Sequence, residues 1–115
     1  MNPALFYKSL ADEARLRCVL LIAQEEELCV CELMEALQDI QPKISRHLAL
    51  LRNNQLLVDR RQGKWIYYRI NPALPDWAKA VINQSLEGNA AFLTKNIKHL
   101  CRMGDRPTRV KTCCE

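Results

Sequence analysis

Six cysteines stand in this chain, and the spacing of two of them is the first sign of chemistry. Cys29 and Cys31 lie two apart in "ELCVCEL", residues 27–33, a stretch that otherwise reads as the opening of a helix. Residues i and i+2 of a regular helix point about 200° apart, so the two side chains do not meet. Either they are unrelated buried thiols, or they are ligands for something that needs the helix start to bend round it. Cys113 and Cys114 are adjacent near the C-terminus, an arrangement that makes a good chelator and a poor core. Cys101 closes the last helical run, and Lys98, Arg102, Arg106 and Arg109 nearby favour the thiolate form. Cys18 sits inside an apolar run and reads as a small buried hydrophobe.

A second group of residues has the chemistry of a nucleic-acid contact. In the run from Gln41 to Asn53 an apolar stripe of Ile44, Leu48 and Leu51 is opposed by Pro42, Ser45, Arg46, Ala49, Arg52 and Asn53, with Gln41 and Lys43 at the N-terminal end. Arg and Gln make two-pronged contacts to base edges, and Ser and Lys suit phosphates or bases. His47 falls at the edge of the buried face and is read as structural or as a DNA contact. Arg60, Arg61, Gln62 and Lys64 surround a turn at Gly63, well placed for phosphates or the minor groove. Alone, this cluster is an ordinary solvated charge run; beside a helix pair it points to DNA.

The elements that must position these groups follow from periodicity. A short helix is expected over residues 5–10. Asp12 reads as the N-cap of a helix over 15–23, whose Leu16, Val19, Leu20 and Ala23 share one face. After an acidic break at Glu25 to Glu27, residues 28–37 read as one short helix and "QDI" as a turn. Pro42 suits the first turn of the next helix, over 41–53, and "NNQ" ends it with an asparagine in the left-handed C-terminal conformation. Residues 56–61 and 65–70 read as strands of a hairpin turned at Gly63. A long helix over 76–100 follows "NPALP", with Gly88 and Asn89 as weak points, and a flexible tail from Cys101 carries Gly104 and Pro107.

The predicted architecture is mostly α with a β-hairpin wing, a winged helix-turn-helix over residues 1–100 with a Cys-containing tail over 101–115. With 115 residues, 49% hydrophobic and 26% charged, the chain is one ordinary globular domain that needs no disulfide staples. The formal charge of +4 is mild, so the placement of the cations matters more than their sum. No run approaches the ~18 apolar residues of a membrane span, and no targeting signal is recognised. A cytoplasmic protein with reduced thiols is therefore expected, with no membrane partner.

The stretches "ELCVCEL", "QPKISRHLALLR" and "RRQGKWIYYR" closely resemble the arsenic-responsive repressors of the ArsR/SmtB family, over residues 5 to 85. The resemblance implies a homodimer joined through its first and last helices. It implies double-stranded operator DNA of an arsenic-resistance operon as partner, no required cofactor, and release when trivalent arsenic, As(III), or antimony, Sb(III), binds as inducer. Such ions are soft and select thiolates. In the family's best-known arrangement Cys-Val-Cys is followed three positions on by a third Cys. Cys29 and Cys31 match the first two positions, and the third is Met34, a neutral thioether. Two thiolates with hydroxide or an organic group, or a tail thiol from Cys113, Cys114 or Cys101, are the alternatives for the third ligand. The family's other site, for zinc in the last helix, lacks its ligands: Asp76, Glu87 and His99 offer no His pair, and His47 lies elsewhere.

Three other readings stand beside this one, of which a dimeric protein-interaction module without DNA binding is opposed by the basic recognition face and basic wing. The same thiols suit a winged-helix repressor that senses oxidation or cadmium. A small thiol reductase would need Cys-x-x-Cys at a strand-to-helix turn or a Gly-rich phosphate loop, and this chain has neither. An enzyme is not expected.

Overall fold

The computed structural model describes residues 1–104. Arg106, Pro107, Arg109, Cys113 and Cys114 lie outside the described residues. Helix α1 (Pro3–Leu10) is capped by Asn2, whose Oδ1 accepts from Ala4 N at 2.8 Å. Helix α2 (Glu13–Glu25) starts at Asp12, whose Oδ1 accepts from Arg15 N at 3.0 Å, as its sequence position predicts. It is buried more completely than one apolar stripe would require: Cys18, Val19, Leu20, Leu21 and Ile22 are all inaccessible or nearly so. It is the central helix of the core, with α1, α4, α5 and strand β3 packed round it.

Residues 28–37 are not one helix. Leu28–Cys29 is a short strand, β1, and helix α3 (Val30–Leu37) begins only after it. Gln38, at φ 54°, makes the turn in the left-handed conformation. Helix α4 (Gln41–Asn53) follows, with Ile44, Leu48 and Leu51 fully buried as its periodicity predicts. Its end differs from expectation in one residue. Asn54 keeps a negative φ, and Gln55 takes the left-handed position at φ 66°.

Strands β2 (Leu57–Gln62) and β3 (Trp65–Ile70) form the expected hairpin, turned at Gly63 with φ 63°. Strand β1 adds to it antiparallel, giving the order β1-β3-β2. In this register Cys29 lies opposite Tyr67, and Tyr67 opposite Arg60.

The expected long C-terminal helix is broken where Gly88 and Asn89 weaken it. Helix α5 (Asp76–Gly88) ends there, a single 3-10 turn (Ala90–Leu93) redirects the chain, and helix α6 (Thr94–Arg102) packs on α3. Tertiary contacts hold the break. Arg17 lies over the Phe92 ring at 3.9 Å, donates to Phe92 O, and donates to Asn96 Oδ1 at 2.8 Å. Asn96 Nδ2 in turn donates to Ala36 O at 2.9 Å, and His99 Nδ1 lies 3.3 Å from the same carbonyl. Cys101 is exposed near the end of α6.

Helices α3 and α4 with the turn between them, followed by the β2-β3 hairpin, make a winged helix-turn-helix. No helix among the described residues is long and apolar enough to cross a membrane.

Candidate dithiol site and nucleic-acid interface

Cys29 occupies the N-cap place of α3, with extended backbone at φ −93° and ψ 169°. That is why the i, i+2 spacing does not keep the thiols apart: only Cys31 belongs to the helix, and Cys29 belongs to the strand before it. Glu32, three residues on, reaches back so that its Oε1 accepts from Cys29 N at 3.0 Å. Glu32 is wholly buried, so this acceptor is held without competition from water.

Both thiols line one cleft of about 340 Å³, with Val30, Met34, Gln41, Lys64, Trp65 and Ile66 as its other walls. The cleft therefore touches the start of α3, the first residue of α4 and the wing. Cys29 is 3% exposed and packs with Tyr67, with Cys31 and Trp65 beside them. Cys31 is disulfide-bonded in this structure, so the ligand chemistry of the pair belongs to the reduced chain. Met34 lies in the same wall, at the position where the family arrangement has its third sulfur. Among the described residues no three His, Cys, Asp or Glu side chains come together to hold a metal ion. Among the described residues the site is thus a pair of cysteines, a dithiol once reduced.

Cys18 is different. It is fully enclosed in α2, and burial pushes its thiol up to about 12, the carboxylates of Asp12 and Asp39 adding to the effect. It stays protonated and inert, the small-hydrophobe reading of its position.

The polar face of α4 is accessible. Gln41, Lys43, Arg46 and Arg52 are exposed, Ser45 and His47 half-buried. Gln41 Nε2 donates to Ser45 Oγ at 3.0 Å, which tethers the side chain along the helix start. On the wing Arg61, Gln62 and Lys64 are exposed. Two of the cations named from sequence are engaged inside the chain. Arg52 pairs with Asp59 at 3.1 Å. Arg60 grips Glu27 with two prongs, Nε to Oε2 at 2.5 Å and Nη2 to Oε1 at 2.6 Å, and lies over the Tyr67 ring at 4.7 Å. The Glu27 hydrogen bond is the leading cause that raises the Arg60 pKa further above its ordinary value.

Sequence reasoning passed over Glu27, Glu32, Trp65 and Tyr67 as members of the site. For Glu32 a signal existed, since Cys29-x-x-Glu32 has the spacing of a capping box with a thiol in the cap place. For Tyr67 there was only the alternation of a strand.

The surroundings of these residues have close relatives. The model described as "Bacterial regulatory protein, arsR family" matches residues 12–57, the span from the α2 cap to the start of β2. The arsenic resistance transcriptional regulator ArsR2 of Pseudomonas putida is 54% identical over 114 residues, 99% of each chain. The chain belongs to the ArsR family. The arsenical resistance operon repressor of Escherichia coli is 48% identical over 100 residues, 87% of this chain and 86% of that one. Among solved structures, HlyU of Vibrio cholerae superposes with a TM-score of 0.68 at 28% identity, over 76% of this chain and 90% of that chain. The ArsR family and its relatives here are transcriptional regulators, not enzymes.

Proposed function

We propose that the chain is a metalloid-responsive repressor of an arsenic-resistance operon, binding operator DNA through α4 and the wing and releasing it when trivalent arsenic or antimony binds Cys29 and Cys31. The observation that carries this reading is the single cleft in which both thiols meet Gln41 of α4 and Lys64 and Trp65 of the wing. A ligand there touches both DNA-facing elements at once. The names and identities of the relatives support the same assignment.

Arsenous acid reacts with two thiols by exchanging two hydroxyls: As(OH)3 and two Cys-SH give (Cys-S)2As-OH and two waters. No oxidant is needed, and the ion's softness selects sulfur. The remaining substituent, hydroxide or an organic group, faces a wall of Val30, Met34, Trp65 and Ile66. Gln41, Lys43, Ser45, Arg46 and His47 read the major groove from α4. Arg61, Gln62 and Lys64 meet the backbone from the wing.

A homodimer completes the reading. Leu5, Tyr7 and Trp77 are 41%, 52% and 39% exposed, an apolar patch where the start of α5 meets α1. Two copies joined there present two α4 helices to two half-sites. A change in the pose of each then mismatches the pair. Helix α6 is committed to α3 of its own chain, so α1 and α5 are the helices for this interface.

The test is operator release by fluorescence anisotropy under reducing conditions, titrating arsenite against wild type, Cys29→Ser, Cys31→Ser and the Cys113→Ser/Cys114→Ser double variant. Loss of release in the first two variants alone is expected. Loss confined to the tail variant would refute the site, and loss in all three would put a third thiol on the tail.

A further inference from the structure

The register of the sheet puts three side chains in one row. Cys29 on β1 is opposite Tyr67 on β3, and Tyr67 is opposite Arg60 on β2. Directly opposed residues share a face of the sheet, so the row runs unbroken from the sensor thiol to the outer strand of the wing. The contacts follow the register. Cys29 packs on Tyr67, and the Arg60 guanidinium lies over the Tyr67 ring. Glu27, two residues before Cys29, closes the row by gripping Arg60. The third guanidinium nitrogen donates to Gln62 Oε1 at 2.8 Å, and Gln62 is paired with Trp65 at the wing tip.

Resting on the function proposed above, we infer that Tyr67 and Arg60 are positioning residues that carry the state of the dithiol to the wing, and that Arg60 acts through Glu27 rather than on DNA phosphate. A planar guanidinium held by two parallel bonds to a carboxylate has one orientation and little freedom. The ion pair is partly exposed, with Arg60 at 45% and Glu27 at 19%, so its contribution is geometric more than energetic. Arsenic draws Cys29 towards Cys31 and out of its place opposite Tyr67. Glu27, which directly precedes this two-residue strand, moves with it, the fork opens, and the wing loses the pose in which Arg61 and Lys64 reach the backbone.

Glu27→Gln and Arg60→Gln test this, with operator affinity measured across a salt series, with and without arsenite, in the full chain. Arsenite binding to each variant is followed by loss of titratable thiols. Both variants are expected to bind arsenite like wild type and to bind operator more weakly without it, towards the affinity of arsenite-loaded wild type. Their salt slopes should stay unchanged, and the ratio of affinities without and with arsenite should fall at least about tenfold. An Arg60 that contacts phosphate gives the opposite pattern. The slope of Arg60→Gln then drops by about one, the arsenite ratio is kept, and Glu27→Gln, with one negative charge fewer, binds operator more tightly. That pattern overturns the inference. If wild type and Cys29→Ser respond to arsenite alike, the functional reading itself fails, and the coupling with it.

Discussion

Helices α2 and α3 each begin after a break and each hold a cysteine near or in the core, yet they are built for opposite ends. The start of α2 is closed by a carboxylate, Asp12, whose hydrogen bond from Arg15 N is charge-assisted. Its cysteine, Cys18, lies mid-helix, fully enclosed, with a thiol pushed up to about 12. The start of α3 has a thiol in the cap place, and sulfur is a weak acceptor. Its first turn is held by Glu32 reaching back and by a two-residue strand. Burial does not separate the two, since Cys18 is 0% and Cys29 3% exposed. What separates them is that the start of α3 opens on a cleft, while Cys18 is enclosed in the packing round α2.

The sharpest way to break this contrast is to exchange the roles of the cysteines. Cys29→Ser should abolish release at arsenite concentrations up to about 100-fold above the wild-type midpoint, a loss of at least about 2.7 kcal/mol of arsenite binding. Cys18→Ser should leave the release midpoint alone and cost about 1–3 kcal/mol of stability, because a hydroxyl is buried in an apolar site. Reversed outcomes in anisotropy and thermal melts would end the comparison. Next, Arg46→Ala should cost about 1–3 kcal/mol of operator affinity while the arsenite-dependent ratio is kept, since Arg46 lies on the exposed polar face of α4 and does not line the cleft. A changed ratio would spread the sensor beyond α3.

Met34→Cys sharpens the contrast from within the site. A third thiolate in the cleft should lower the arsenite midpoint by about tenfold, or about 1.4 kcal/mol. A methylated arsenical, which has two exchangeable positions, should gain nothing. The smallest effect is at the other helix. Asp12→Ala should cost about 1 kcal/mol with release unchanged. The backbone hydrogen bond from Arg15 is the leading cause that holds the Asp12 carboxyl below its ordinary value of 3.8. Its stabilisation is therefore complete above that value and is lost as pH falls through the lowered folded value. The gap between wild type and Asp12→Ala in urea melts should close over that acid range.

Where the chemistry is local, it was legible. Asp12, the stripe Ile44, Leu48, Leu51 and the turn at Gly63 are short-range patterns, and each lies where periodicity or backbone chemistry puts it. The thiol pair was legible as a candidate, and so was the polar face of α4. What local reading missed depends on contacts between distant residues. Leu28 and Cys29 carry no strand signal of their own, and they are extended because β3 offers an edge to pair with. The break after Gly88 was a weak point in the sequence. It became a change of direction because Arg17, 75 residues away in the chain, grips Phe92.

From residue types and spacing alone follow the winged helix-turn-helix, the polar, cationic face of α4 and a pair of cysteines as candidate soft ligands; that Met34 stands in the place of a third cysteine came from the resemblance to the ArsR/SmtB repressors. These rest on propensity, periodicity and ligand softness, which act over a few residues. The tertiary structure decided that Cys29 is in a strand, that both thiols open on one cleft shared with α4 and the wing, and that Arg60 turns inward to Glu27. Cross-strand register and side-chain packing join residues more than thirty positions apart, Glu27 with Arg60 and Cys29 with Tyr67, and no spacing within a single element encodes them.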